Sequence, residues 1–231
     1  QGLVTYIRTD SVRVSAEAVS AAREEINKLY GKDHLPDSQR EYKATNRAQD
    51  AHEAIRPTDI TRTPESIKAF LSRDQLQIYR LIYIRFLASQ MKDAEYQTLT
   101  ADLVCDDVTL RYYAEHKSFA GFTAVYEEGS DDNGNDVQDY IPAFKEGDAI
   151  AITKVQADQR FTQPPARYTE ASLIKSLEEK GIGRPSTYAP TIGTVIGRGY
   201  ISREKKRLYP TEMGRMVNAI MQEYFAPIVD L

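Results

Sequence analysis

A single cysteine, Cys105, is the first thing this 231-residue chain has little of. One thiol excludes an intramolecular disulfide framework and a cysteine-rich zinc site, and it fits a reducing, cytoplasmic setting. No apolar run approaches the ~20 residues that span a bilayer, and mean hydropathy is −0.52. The first residues lack a basic stretch followed by an apolar one, so they do not read as a signal peptide. The chain starts on Gln1 without a methionine, inside what reads as a strand. The expectation is an excised piece of a longer protein.

Charge is present but uneven. The formal net charge is −4. Residues 1–92 carry +3, residues 93–162 carry −10 and residues 163–231 carry +3. A polyanion would meet the two ends and avoid the middle. The same charge pattern also suits plain solvated surfaces of differing composition.

Texture follows the charge. Leu3 to Arg8 is rich in β-branched residues and reads as a strand. Ser15 can cap a helix to about Tyr30 with the stripe Val19, Ala22, Ile26 and Leu29, ended by Gly31. Pro64 after Thr63 marks another helix start. A helix from about Asp74 to Met91 has apolar positions dense enough to be buried on most sides. Then "YQTLTADLVCDDVTLRYYAEH" alternates and turns at Asp106 and Asp107, like a hairpin. "SFAGFTAVYEE" and "AIAITKVQADQRF" read as further strands, with the acidic loop "GSDDNGND" between them. After Pro164 and Pro165 the pattern is helical again: a helix over 170–180, a turn at "GIGRPS", a helix from Pro185 to about Arg198, a basic hairpin in "GYISREKKRLYPT", and a helix capped by Thr211. Helix, turn, helix and hairpin is the order of a winged helix. The expected fold class is therefore α+β, with three parts: 1–92 mainly helical, 93–162 β-rich, and 163–231 helical and winged-helix-like.

The chemistry concentrates in "GLVTYIRTDS". A free phenol has a pKa near ~10 and is a poor nucleophile at neutral pH. It suits a reversible attack on a phosphodiester, which conserves bond energy in a phosphotyrosine and needs positive charge beside the transition state. On a strand, Tyr6 and Arg8 share a face. Thr9, Asp10 and Ser11 could bond backbone or phosphate where the strand stops. By spacing alone, the pattern better fits a strand with an aromatic plug and an arginine reaching for water.

"VTYIRTDS" resembles the active-site signature of type IA DNA topoisomerases. Two more blocks resemble that family in the same order: "DAHEAIRPT", and "PPARYTEASLIKSLEEKGIGRPSTYAPTI" continuing into "RGYI" and "YPTEMG". The form "AHEAIRPT" is more similar to the bacterial topoisomerase I branch than to topoisomerase III; reverse gyrase shares much of this core. The resemblance implies that Tyr6 is the nucleophile, that Arg8 pairs with the scissile phosphate, and that His52 hydrogen-bonds near the break. Asp50 and Glu53 are lesser candidates. Arg56 would touch phosphate or form a surface ion pair. Arg184, Ser186 and Thr187, at a helix start suited to phosphate, would bind the single strand upstream of the cut. Tyr188 could stack on a base but is expected to fill core, and the "REKKR" run could touch phosphates but is expected to be a solvated hairpin tip.

The family fold is a torus. The resemblance makes 1–92 its tyrosine-bearing gate, 93–162 part of its β-rich arch and 163–231 part of its DNA-binding helical domain. The family's toprim domain, with its Mg²⁺-binding carboxylates, has no counterpart here. Mg²⁺ is thus expected on the parent and not on this chain, with no metal ligands among these residues. Expected partners are single-stranded and negatively supercoiled DNA, the parent's other domains and a second copy of the fragment, without a membrane. The expected location is cytoplasmic, at the nucleoid. The alternative is a non-catalytic winged-helix DNA-binding module with a β-rich interaction domain.

Overall fold

The computed structural model describes residues 2–9, 11–42, 52–127 and 140–229. It forms two compact units, Gln1–Ala151 and Ile152–Leu231. Asp10, Asp50 and the "GSDDNGND" stretch lie outside the described residues.

In the first unit, α1 spans Ala16–Tyr30, α2 spans Pro64–Ile67 and α3 spans Arg73–Ser89. Each start is set by a hydroxyl. Ser15, Thr63 and Ser72 accept from the backbone N–H three residues on, and Ser72 forms a reciprocal box with Gln75. Such caps satisfy donors that a helix leaves open and are each worth ~1 kcal/mol. The core lies between α1 and α3: Ala22 and Ile26 meet Tyr79, Tyr83, Phe86 and Leu87, closed by Ile60, Ile67 and Met91. Tyr79 donates to the Arg62 carbonyl at 2.7 Å. Tyr83 is buried, and burial pushes its phenol well above the usual range.

Two expectations about these helices fail. On α1 the buried stripe holds Glu25 in place of Leu29, which is exposed. The α3 helix is covered on more than one side only toward its end, where Phe86, Leu87 and Ala88 are all buried; nearer its start Ile78 is 55% and Leu81 60% exposed.

Strands β1 (Glu95–Cys105) and β2 (Val108–Phe119) form an antiparallel hairpin that turns at Asp106 and Asp107, as the sequence suggests. The other strands do not form. "SFAGFTAVYEE" ends β2 at Phe119 and continues as a 3-10 turn, Gly121–Ala124. Gly121 has φ +50, and a Cβ there would run into the Asp93 carbonyl. Residues 149–162 have no regular structure and are exposed. Their alternation supplies apolar side chains, but no partner strand accepts their backbone groups. The first strand is also shorter than expected, since only Val4 forms a bridge, to Pro57.

In the second unit, α4 (Glu170–Glu179), α5 (Pro185–Gly197), β3 (Ile201–Glu204), β4 (Arg207–Pro210), α6 (Glu212–Tyr224) and α7 (Ala226–Val229) follow in order. This is helix, turn, helix, hairpin, helix, as the sequence reads. Tyr188, Ile192, Leu208 and Thr169 are its buried residues among those described. Lys205 and Lys206 join β3 to β4 with φ 46° and 69°. Positive φ at both central positions is what a type I′ turn needs. For non-glycine residues that conformation costs roughly 1–2 kcal/mol each. On α6, Met213, Met216, Ile220 and Tyr224 make an exposed apolar stripe.

The packing predicts an asymmetry in the first unit. Ile26→Ala should lower unfolding free energy by ~2–5 kcal/mol through transfer and cavity terms. Leu81→Ala should change it by less than ~0.5 kcal/mol. Urea unfolding of both variants checks this; equal costs would mean the core is misplaced.

Candidate active site

Two distant stretches lie side by side in the first unit. The Thr5 N–H donates to the Arg56 carbonyl at 2.9 Å and the Thr58 N–H to the Leu3 carbonyl at 3.1 Å. The Ala54 N–H donates to the Arg13 carbonyl at 2.8 Å. Side chains add to this pairing. The Thr5 hydroxyl donates to the Ala54 carbonyl at 2.8 Å and accepts from the Arg56 N–H at 3.0 Å. The Ser11 hydroxyl donates to the His52 carbonyl at 2.7 Å.

This pairing brings together the residues singled out in both blocks. Tyr6 is 77% exposed, so it is not an aromatic plug, and its hydroxyl is open to solvent. Arg8 Nη1 lies 3.4 Å from His52 Nε2, across 44 residues of sequence. An arginine is always a donor, so the imidazole nitrogen facing it accepts. The guanidinium and imidazole, with an exposed phenol two residues along the chain, are groups that can supply a cation, a second hydrogen-bonding group and an oxygen nucleophile for a phosphate.

Behind them, Glu53 works structurally. One of its oxygens accepts from the Ser15 N–H at 2.9 Å, at the start of α1. Both oxygens accept from the Arg56 guanidinium at 3.0 to 3.1 Å. Arg56 also donates to the Pro57 carbonyl at 2.9 Å. Partial burial opposes ionisation of Glu53, but the Ser15 N–H and Arg56 outweigh it and hold its carboxyl below the usual range. Of the two roles open to Arg56 in the sequence, the ion pair is the one formed. Beside it is a cavity of about 340 Å³, lined by Ser15, Glu17, Arg56, Thr58, Asp59 and Phe86 among others.

The other three singled-out residues sit in the second unit, at the start of α5, all exposed. The Thr187 hydroxyl accepts from the Arg184 N–H at 2.9 Å and donates to the Arg184 carbonyl at 3.0 Å. Arg184 Nη1 donates to the Gly183 carbonyl at 2.7 Å. Gly183 has φ +78, and a Cβ there would meet the Tyr188 ring at 2.9 Å. Tyr188 is core, as expected. Pro185 has no N–H, so Ser186 presents the first backbone donor of the helix.

Among the described residues no group of three or more His, Cys, Asp or Glu side chains could hold a metal ion. No helix among the described residues is long and apolar enough to cross a membrane. Glu53 is a lesser candidate in the sequence, and since residues 53–56 are not helical, no local periodicity there signals its ion pair with Arg56.

The Glu53–Arg56 pair predicts a stability effect with a sign. Glu53→Gln should cost ~1–3 kcal/mol at pH 7 by removing charge-assisted hydrogen bonds. The Glu53 carboxyl is depressed on folding, so its contribution is full above its ordinary value of 4.5 and fades as pH falls through the lower folded value. The gap between wild type and Glu53→Gln should therefore shrink on acidification below about pH 4.5. Chemical unfolding at a series of pH values measures it, and a gap that widens in acid would contradict the assignment.

Comparison with known proteins agrees with this geometry. A family model described as DNA topoisomerase matches residues 1–231. Full-length topoisomerase I from Thermotoga maritima is similar in structure, with a TM-score of 0.79 and 36% sequence identity. The match covers 96% of this chain and 35% of that one, so this chain spans about a third of that relative's length. With the whole chain matched, this chain belongs to the bacterial, type IA family of DNA topoisomerases.

Proposed function

We propose that this chain carries the strand-cutting tyrosine of a topoisomerase that relaxes negatively supercoiled DNA. The observation that carries the reading is an exposed Tyr6 two residues from Arg8, with Arg8 held against His52. The Tyr6 oxygen attacks a backbone phosphorus and loses its proton to solvent. A bond forms between that oxygen and phosphorus, and the bond to the 3′ oxygen breaks. The 3′ oxygen leaves as a hydroxyl after taking a proton, and the 5′ end stays on the tyrosine. After another strand has passed, the 3′ hydroxyl attacks the phosphotyrosine and restores both starting groups. No bond energy is lost, so no nucleotide is consumed.

Arg8 offsets charge that builds on the phosphoryl oxygens, and such groups act most strongly where water is excluded. His52 hydrogen-bonds beside it. Arg184, Ser186 and Thr187 hold the single strand upstream of the cut through a guanidinium, a hydroxyl and the first donors of α5. Thr187 shares its hydroxyl with the helix cap. Arg56 reaches phosphate only by exchanging its Glu53 partner.

In this reading residues 1–92 belong to the gate, the β1–β2 hairpin within 93–162 to the arch, and 163–231 to the DNA-binding domain. Mg²⁺ is supplied by the toprim domain of the parent, and the chain alone does not relax DNA. The parent works in the cytoplasm, at the nucleoid. The apolar stripe on α6 supports self-association of the isolated chain.

The test is covalent trapping. This chain, a separately made toprim fragment, Mg²⁺ and a labelled single-stranded oligonucleotide are mixed and quenched with denaturant. A protein–DNA adduct is expected, absent with Tyr6→Phe and reduced by ~10²–10³-fold in rate with Arg8→Ala. An adduct that survives Tyr6→Phe would overturn the assignment. Its absence, despite association of the pieces and DNA binding, would favour the non-catalytic DNA-binding module.

A further inference from the structure

The turn at the end of the β3–β4 hairpin is built against its own backbone preference. Lys205 and Lys206 both have positive φ, where Asn-Gly would sit without strain. Both lysines are exposed, and among the described residues neither has an ion-pair partner. Among the described residues no hydrogen bond or ion pair from either lysine side chain offsets the strain.

The base of the hairpin is the opposite. Leu208 is buried, and its N–H donates to the Tyr168 carbonyl at 2.8 Å. Thr169 bridges Arg207 as a short third strand. Arg203 is paired with Glu170 at 2.6 Å, and Arg207 Nη1 donates to the Arg167 carbonyl at 2.9 Å. Arg167 itself covers the Tyr209 ring at 4.8 Å. The arginines are thus held in place around a fixed ribbon, and the two lysines alone project from its tip. Around the ribbon, the cations Arg167, Arg203, Lys205, Lys206 and Arg207 exceed the carboxylates Glu170 and Glu204 by three. That local excess is carried by a chain whose net charge is −4.

We propose that the Lys205–Lys206 tip is a contact surface for the phosphate backbone of a nucleic acid, apart from the phosphate site at the start of α5. The inference rests on the reading of DNA as the substrate. Strain in a sparsely populated backbone region persists where something outside the fold rewards it. A rigid ribbon presenting two adjacent, unpaired ammonium groups suits successive phosphates, which need point charges and no base-specific geometry.

The test separates charge from backbone strain. In the double variant Lys205→Asn with Lys206→Gly, the turn becomes strain-free and loses both charges. Its melting temperature should rise by about 2 °C or more. Its affinity for a fluorescein-labelled 20-nucleotide single strand, or for the corresponding duplex, should fall, with the slope of log K against log salt reduced by about 1.4–1.8. Whether the slope changes for the single strand or the duplex says which form the tip meets. The second variant, Lys205→Arg with Lys206→Arg, should keep the slope.

A stabilised Asn-Gly variant with unchanged affinity and slope for both probes would overturn the proposal and leave the DNA reading intact. A variant that is not stabilised would overturn its premise of strain. Failure of the wild-type chain to bind either probe would remove the DNA reading itself, and this proposal with it.

Discussion

The pairing of residues 2–13 with 52–58 is the constraint on which the candidate site depends. Backbone hydrogen bonds from Thr5, Ala54 and Thr58, and hydroxyls from Thr5 and Ser11, tie the stretches together. Each bond adds only ~1 kcal/mol net. Their collective effect is positional. The partly buried Leu3 and Val4 pack on the α1–α3 core, so the register between the two stretches is fixed from below, while Tyr6 stays exposed. Without that register Arg8 and His52, 44 residues apart, would have no reason to meet.

The same constraint explains why the candidate site can be so open. Tyr6 is exposed and is not held by packing. Order comes instead from the layer beneath. Glu53 ties the loop to the first turn of α1 and to Arg56. Pro57 is fully buried and anchors the end of the segment. A rigid lower layer and an exposed upper one let the site present chemistry without exposing its core.

The second unit uses a different device. Its buried residues are few among those described, and its order comes from caps and tight turns. Thr169 and Ser172 form a reciprocal capping box at the start of α4. Thr187 bridges the N–H and carbonyl of Arg184. Thr211 accepts at the start of α6 while donating to the Gly199 carbonyl. Small hydroxyls fix helix starts locally, so this unit can present exposed cations at both α5 and the hairpin without a large core. The apolar face of α6 is what such a small core leaves uncovered.

Much of this was legible in the sequence because it is local. Helix starts at Ser15, Thr63 and Thr211, the turn at Asp106 and Asp107, and the helix–turn–helix–hairpin order all follow from the nearest few residues. The motif blocks named the family, since Tyr6, Arg8 and His52 stand in recognisable words. What failed was non-local. Alternation at 149–162 looked like strand, yet a strand exists only where another backbone accepts its hydrogen bonds. The density of apolar residues on α3 suggested burial all round, yet burial depends on how many neighbours arrive. The sequence by itself determined the caps, the turns and the motif blocks that mark the family, because these depend on side-chain chemistry within a few residues. Tertiary structure alone decided that Arg8 lies against His52, that Glu53 occupies Arg56, and that two lysines take a strained turn. Those facts depend on distances between atoms far apart along the chain and on backbone angles that composition does not encode.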